Sequence, residues 1–438
     1  MWDFETDADF QLQLDWAGTF VRDVVEPLDF VLGNPYDKSD ERSLAMVRPL
    51  QKEVRSRGLW ACHLGPELGG PGYGQVKLAL LNEILGRSRW APSVFGCQAP
   101  DSGNAEILAH YGTPEQKARY LQPLLDGEIT SCYSMTEPHA GADPTLFKVR
   151  AERDGTDWVI NGEKWFSSNA RYASFFLVMA VTDPEVSPYE GMSMFIVPAE
   201  TPGIDIVRNI GVATEPPGQV SAAGVREDHG YVRYQNVRVP ADHLLGAQGQ
   251  AFVIAQTRLG GGRIHHAMRT VALARHAFDL MCERAVSRRT RRGPLAAFQL
   301  TQEKVADSWI DLESFRLLVL RTAWLIDKHQ DYKKVRKDIA AVKVMLPRVL
   351  HDVAQRALHL HGALGVSNEM PFMSMMVTAE ALGIADGPTE VHKITLARQV
   401  LAQYTPVDTL FPSGHLPSVR ERALAAFAEH VDHEAAQF

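Results

Sequence analysis

Apolar residues recur three or four positions apart over Leu14 to Val24, Leu44 to Arg57 and Gln75 to Gly86, the spacing of one helix face, so residues 1–127 read as a helical unit. Gly65-Pro66-Glu67-Leu68-Gly69-Gly70-Pro71-Gly72-Tyr73-Gly74 interrupts them. It follows no strand and does not spell a dinucleotide fingerprint, so a turn between helices is predicted. Over 128–247 the period changes. Phe147 to Arg153 alternates with period two, Ser193 to Val197 and Tyr231 to Val239 read as further strands, and Asp154-Gly155 and Asn161-Gly162 are dipeptides that favour tight hairpins. Short strands with close turn signals predict a small antiparallel barrel or sandwich. Over 248–410 long helical periodicity returns. Val305, Trp309, Leu312, Phe315 and Val319 form one stripe of a buried helix, and Pro347 is expected to kink or interrupt the helix through Lys343 to Leu358. After Pro412-Ser413-Gly414, a tail over 411–438 is expected to be helical from Pro417 to His433. The pattern is therefore α+β and multidomain: helices, a β unit, then a long helical bundle.

Composition narrows the class. The chain has 438 residues, 45% apolar and 22% charged, which fits a globular protein of two or three packed units. A net charge of -8 argues against nucleic acid as the partner, with Arg288-Arg289-Thr290-Arg291-Arg292 the one basic run. Cys62, Cys97, Cys132 and Cys282 are far apart and lack metal-ligand spacing, so no metal site or disulfide framework is expected. The acidic start MWDFETDADF is unlike a signal peptide, and no apolar run approaches a membrane span. A reducing, cytoplasmic location without membrane insertion is the expectation.

Four segments carry chemistry. Tyr133 to Asp143 reads YSMTEPHAGAD, Gly162 to Ala170 reads GEKWFSSNA, Arg288 to Gln299 reads RRTRRGPLAAFQ, and His359 to Val366 reads HLHGALGV. In this order they resemble the YxMTEPxAGSD, GxKxWITNG, RxTFGRPLxxFQ and QxxGGxGF signatures of the acyl-CoA dehydrogenase family, over about residues 15–403. Arg263 to Arg269 (RIHHAMR) and Ala385 to His392 (ADGPTEVH) are similar to the branch whose long animal members carry an additional kinase-like domain, which this sequence is expected to be without.

The resemblance implies an N-terminal helical domain, a β-barrel domain and a C-terminal four-helix bundle, assembled as a homodimer or homotetramer. It implies FAD as cofactor, a fatty acyl-CoA as substrate, and electrons passed to an electron-transferring flavoprotein. An α-hydrogen of a thioester is a weak acid, so the reaction needs a carboxylate base and hydrogen bonds to the developing enolate, while the β-hydrogen leaves as hydride. By resemblance, Tyr133, Met135 and Thr136 face the flavin and Phe166, Ser167 and Ser168 close its other edge. Arg288, Thr290 and Gln299 would hold the pyrophosphate and ribose of a neighbouring subunit's FAD, and His359, Gly362 and Ala363 would reach its adenine end. Arg291-Arg292 here replace the usual Phe-Gly, His359 the glutamine and Ala363 the second glycine.

Asp386 aligns with the family's catalytic glutamate and is the expected base, with Gly387 leaving room for the thioester. Read without the resemblance, Asp-Gly-Pro is a turn with an Asx cap before the helix from Thr389. Glu390 and His392 are rival bases. The alternative base position on the helix after the β unit is excluded, because Leu259-Gly260-Gly261-Gly262-Arg263 holds no carboxylate. Arg263 is expected along the substrate channel, His265 or His266 at the acyl pocket, and Ala142 at the CoA arm, where many relatives have serine. Two competing functions follow: an oxygen-reducing oxidase of the same superfamily, and a weakly active flavin scaffold that binds nucleic acid.

Overall fold

In a computed structural model, residues 6–66, 70–211 and 229–430 are described; Glu67 to Gly69 of the glycine-rich loop and the end of the tail lie outside them. The first unit contains helices α1 (Ala8–Phe20), α2 (Glu41–Ser56), α3 (Gly74–Leu85), α4 (Ala91–Val94), α5 (Asp101–Tyr111), α6 (Pro114–Gln116) and α7 (Gln122–Leu125). Their starts are fixed by carboxylates and hydroxyls that accept from otherwise unpaired N–H groups: Asp7 for α1, Asp40 for α2 and Thr113 for α6.

The β unit contains β1 (Ser131–Ser134), β2 (Arg150–Asp154), β3 (Asp157–Ser168), β4 (Phe175–Val181), β5 (Met192–Pro198), β6 (Ile204–Ile210), β7 (His229–Pro240) and β8 (Leu244–Leu245). The sheet order is β6-β7-β3-β1-β4-β5-β8, with β2 bridging β3 and β4. Two expectations change here. The β1–β4 and β2–β4 pairs are parallel, not antiparallel, because a crossover rather than a tight turn joins each pair. Asp154-Gly155 does lie at the β2–β3 hairpin, but Asn161-Gly162 lies inside β3, at a register shift against β7. Gly162 has φ +132, and a Cβ there would come within 2.8 Å of Val149, while the Asn161 Oδ1 accepts from Asn236 N at 2.7 Å. The extra residue of the bulge lies opposite the dipeptide on β7, at Gln235-Asn236, where Asn236 has φ +53.

The last unit contains α8 (Ala251–Ser287), a two-stranded ribbon of β9 (Arg289–Thr290) and β10 (Gly293–Pro294), then α9 (Gln299–His329), α10 (Arg336–His361), α11 (Phe372–Ile384), α12 (Thr389–Leu401) and α13 (Leu416–Ala426). Alanines 267, 274 and 277 line the buried side of α8 and allow close helix approach. One hydrophobic core runs from Phe10 and Phe95 through Met268, Phe315 and Leu346 to Phe372, so the first and last helical units share an interior while the β unit has separate clusters on its two faces. The α10 helix continues through Pro347 without interruption. Of the α9 stripe, Leu312, Phe315 and Val319 are buried but Trp309 is 53% exposed. No residue of α13 is buried. Among the described residues no helix is long and apolar enough to cross a membrane, and no cluster of three or more His, Cys, Asp or Glu could hold a metal.

Candidate active site

The chain after β1 forms a shelf held from below by a buried ion pair. The Lys164 Nζ donates to the Met135 carbonyl at 2.7 Å and to the Glu137 Oε1 at 3.0 Å. Glu137 also accepts from the backbone N–H groups of Lys148 (2.7 Å) and Val149 (2.9 Å). Both side chains are within the β unit's interior, and burial holds the Lys164 ammonium down to about 8 against the pull of Glu137. Trp165 N donates to Thr136 O at 2.8 Å, joining the two motifs edge to edge. Above the shelf Phe166 is 39% exposed with φ +52, and Trp165 packs between Phe166 and Tyr231, each 5.5 Å away by ring centroid. Among the described residues the half-buried Thr136 hydroxyl makes no hydrogen bond to the chain. Ser167 differs from its neighbours: the residue is fully buried, its hydroxyl is bonded to Ser134, which also meets the Tyr234 hydroxyl, and its carbonyl accepts from Ala170 N, so it offers a ligand no exposed group. The Ser168 hydroxyl contacts His229 Nδ1 at 2.9 Å.

Asp386 sits between α11 and α12 with φ +55, followed by Gly387 at φ +104. Aspartate is one of the few side chains that tolerate the left-handed region, and glycine tolerates it freely. The turn is clamped on its carbonyl side. Arg263 Nε donates to the Asp386 carbonyl at 2.9 Å, His392 Nε2 lies 3.3 Å from the same oxygen, and Lys343 Nζ donates to the carbonyls of Leu382 (2.6 Å) and Ala385 (2.8 Å). Helix α12 starts at Pro388 without a side-chain cap, so the Asx-cap alternative fails and the Asp386 carboxylate is free for other work. It points toward α8: its Oδ2 lies 3.7 Å from where a Cβ on Gly262 would be and 3.6 Å from the His266 Nε2. A larger residue at 262 would occupy this space, which gives the glycine run a reason beyond turn formation.

Burial alone would push the Asp386 carboxyl up, but His266, Arg258, Lys343 and Arg263 together outweigh it and hold the group below its ordinary value. Asp386 is therefore a half-buried carboxylate, 18% exposed, that is ionised at neutral pH. His266 and His392 are each held down to about 4, chiefly by burial, and are neutral there. Glu390, the other rival base, is exposed.

The structure brings Asp386, Gly387 and Arg263 together, and it ties them to Tyr133 through Arg258. The Arg258 guanidinium lies 3.9 Å over the Tyr133 ring, and its Nε donates to Asn104 Oδ1 at 2.9 Å. His265 turns away from the carboxylate. It is buried, with its ring 6.3 Å from His63, so His266 is the histidine at Asp386. Ala142 is exposed in the loop after the shelf. Arg288, Thr290 and Gln299 are exposed, and the Thr290 hydroxyl is engaged in its own ribbon with Gly293 O at 3.1 Å. Arg288 caps α8, a full 25 residues along that helix from Arg263, a separation of about 37 Å. His359, Gly362 (φ +67) and Ala363 are exposed at the far end of α10. These six residues thus stand apart from the Asp386 cluster within one chain.

Sequence reasoning missed Arg258, Lys343 and Glu106. Glu106, on α5, comes within 3.0 Å of where a Cβ on Gly261 would be, and burial pushes its carboxyl up to about 7, opposed by Arg258 and a Tyr332 hydrogen bond. Their signal was weak because each is a single charged residue on a helix that otherwise reads as amphipathic.

Comparison with known proteins places this geometry. Three family models match in chain order: acyl-CoA dehydrogenase N-terminal domain over residues 11–128, middle domain over 132–223 and C-terminal domain over 249–401. The probable acyl-CoA dehydrogenase FadE2 of Mycobacterium tuberculosis is 40% identical over 371 residues, covering 83% of this chain and 88% of FadE2. Acyl-CoA dehydrogenase family member 11 of Gallus gallus is 38% identical over 388 residues, 86% of this chain but 49% of that protein, so the chain spans about half the length of this animal relative. A solved Mycobacterium abscessus structure assigned to the acyl-CoA dehydrogenases is 36% identical with a TM-score of 0.83, covering 92% of this chain and 100% of that one.

Proposed function

The chain belongs to the acyl-CoA dehydrogenase family, and on that premise we propose that it oxidises a fatty acyl-CoA to the trans-2-enoyl-CoA with Asp386 as the base. The observation that carries this is the Asp386 carboxylate: half-buried, ionised, capping nothing, and aimed into the space left by Gly262.

The residues present fit FAD. The uncommitted Thr136 hydroxyl and the uncovered Phe166 ring lie on one shelf, which offers a hydrogen-bonding edge beside an aromatic surface. When bound there, FAD supplies the acceptor for the substrate's β-hydride. The chain's own residues do the rest. The Glu137–Lys164 pair fixes the shelf at Met135 and Thr136. Asp386 accepts the α-proton at a carboxylate oxygen, so the C–H electron pair moves into the thioester enolate. The Asp386 N–H has no backbone partner among the described residues and would donate to the thioester oxygen. Arg263 and Lys343 keep the turn from relaxing as charge moves, because they hold its carbonyls rather than its carboxylate.

The separation of Arg288 from Arg263 supports a homodimer or homotetramer in which Arg288, Thr290, Gln299, His359, Gly362 and Ala363 serve a neighbour's FAD. A guanidinium suits a diphosphate through paired hydrogen bonds. We take electron-transferring flavoprotein as the acceptor, on family grounds, and domain limits at residues 127, 247 and 410.

The test is anaerobic flavin bleaching with butyryl-, octanoyl-, palmitoyl- and isobutyryl-CoA, comparing the parent with Asp386→Asn. The exchange is nearly isosteric, so FAD should stay bound while the rate falls about a hundred-fold or more. An Asp386→Asn variant that reduces its flavin at the parent's rate removes Asp386 from the reaction and returns the role to Glu390 or His392.

A further inference from the structure

We propose that His266 is the positioning residue for Asp386, aiming the base by donating its Nε2–H to the carboxylate. The inference rests on Asp386 being the base and goes beyond it by assigning what holds that base in place. The turn is clamped only through backbone carbonyls, by Arg263, His392 and Lys343. None of these contacts fixes the side chain. Among the described residues, the Asp386 carboxylate makes no closed hydrogen bond, and the one side chain within ion-pair distance is His266, Nε2 to Oδ2 at 3.6 Å. That distance is longer than a charge-assisted hydrogen bond, as is common before a substrate closes the site.

Position makes the contact specific. His266 lies one helical turn beyond Gly262 on α8, so imidazole and carboxylate meet across the gap that the missing side chain leaves. The backbone of His266 is itself fixed, because the Thr270 hydroxyl donates to its carbonyl at 2.8 Å. The charged and titratable groups facing the pair are Arg258, Arg263, His265 and Arg269 from α8, Lys343 from α10, His392 from α12 and Tyr133 from the shelf. Burial, helped by Arg269, Lys343 and Arg258, outweighs the pull of Asp386 and opposes protonation of the imidazole, so it acts as a neutral N–H donor. A neutral donor orients a carboxylate without neutralising it. A permanently charged residue at 266 would bind the carboxylate more tightly and make it a poorer base.

The test uses the FAD-loaded enzyme, with the rate of anaerobic flavin reduction followed from pH 4.5 to 9 using whichever of the four acyl-CoA esters above reduces the parent fastest. His266→Phe keeps the ring volume and removes the donor. His266→Gln keeps a neutral N–H at similar reach. We expect His266→Phe to lower the rate at pH 7 at least tenfold and move the acid limb up by about one pH unit, with flavin content unchanged. His266→Gln should recover most of the rate and return the limb toward the parent. A His266→Phe enzyme within twofold of the parent and with an unmoved limb overturns the proposal, as does a glutamine variant no better than phenylalanine. If either variant loses its flavin, the other decides. Asp386→Asn separates the two levels: if it stays active the base assignment fails, whereas an inactive Asp386→Asn beside an unaffected His266→Phe leaves the base and removes the positioning role.

Discussion

Replacing Lys164 by methionine should cost more than any other single change in the β unit, and the reason is the carboxylate left behind. Lys164 and Glu137 have side chains 0% and 1% exposed. Methionine keeps most of the volume, so packing changes little, but Glu137 would retain only its two backbone donors and the more distant His139 Nε2 at 3.5 Å. Stranding one partner of a buried pair typically costs about 3–5 kcal/mol, a large share of the roughly 5–15 kcal/mol that holds a domain folded. The Met135 carbonyl also loses its donor, so the shelf should loosen and FAD affinity fall with it. Urea unfolding followed by tryptophan fluorescence reads the loss, with Trp158 and Trp165 of β3 among the chain's 8 tryptophans. The control is the double variant Glu137→Gln, Lys164→Met, which removes the stranded charge and should be more stable than Lys164→Met alone. A single variant costing under about 1 kcal/mol, or a double variant whose loss is the sum of the singles, would refute the argument that the pair is mutually dependent.

Glu106 gives a pH signature of opposite sign to an ordinary ion-paired carboxylate. Its folded-state value is raised to about 7 from 4.5, so the folded protein binds the extra proton between those values and this group's contribution to stability declines as pH rises from about 4.5 to 7. Glu106→Gln should therefore gain stability relative to the parent across that window, by roughly 1–3 kcal/mol at its upper end; a difference in melting temperature that stays flat from pH 4.5 to 7.5 would contradict this. Arg288 tests the shared site. Arg288→Ala and Asp386→Asn should each be poorly active alone, yet mixed oligomers should regain activity, because the intact Asp386 of one chain would receive the intact Arg288 of the other; mixing that restores nothing would place Arg288 in its own chain's site or in none.

What the sequence made legible was whatever its own neighbours determine. The Asp154-Gly155 hairpin and the order of helical, β and helical units follow from local period and turn chemistry. The shelf was legible too, since its two segments pair directly through Trp165 and Thr136. The misses share a cause, which is dependence on a distant partner. Asn161-Gly162 carries the same local preference whether it makes a turn or lies within a strand, and only the approach of Val149 and the pairing with β7 hold it in β3. Trp309 fits the apolar period of α9, yet the described residues leave it 53% exposed. Arg258, Lys343 and Glu106 acquire meaning only where α5, α8 and α10 converge on Asp386 and Gly261.

Asp386 shows why the local and functional interpretations of a segment need not compete. Asp-Gly-Pro reads locally as a turn, and it is one: Asp386 and Gly387 are both left-handed, and Pro388, with φ -58, starts α12. A side chain that capped α12 would have been drawn toward the helix's N–H groups and away from α8. Proline at the start of the helix removes one of those donors and fixes the entry angle. The left-handed turn then directs the carboxylate back across Gly262 to His266. A glutamate on the same turn would carry its charge about one bond further, into the space that the glycine run keeps open. The shorter residue is therefore matched to its turn, which brings the carboxylate of the proposed base within reach of His266.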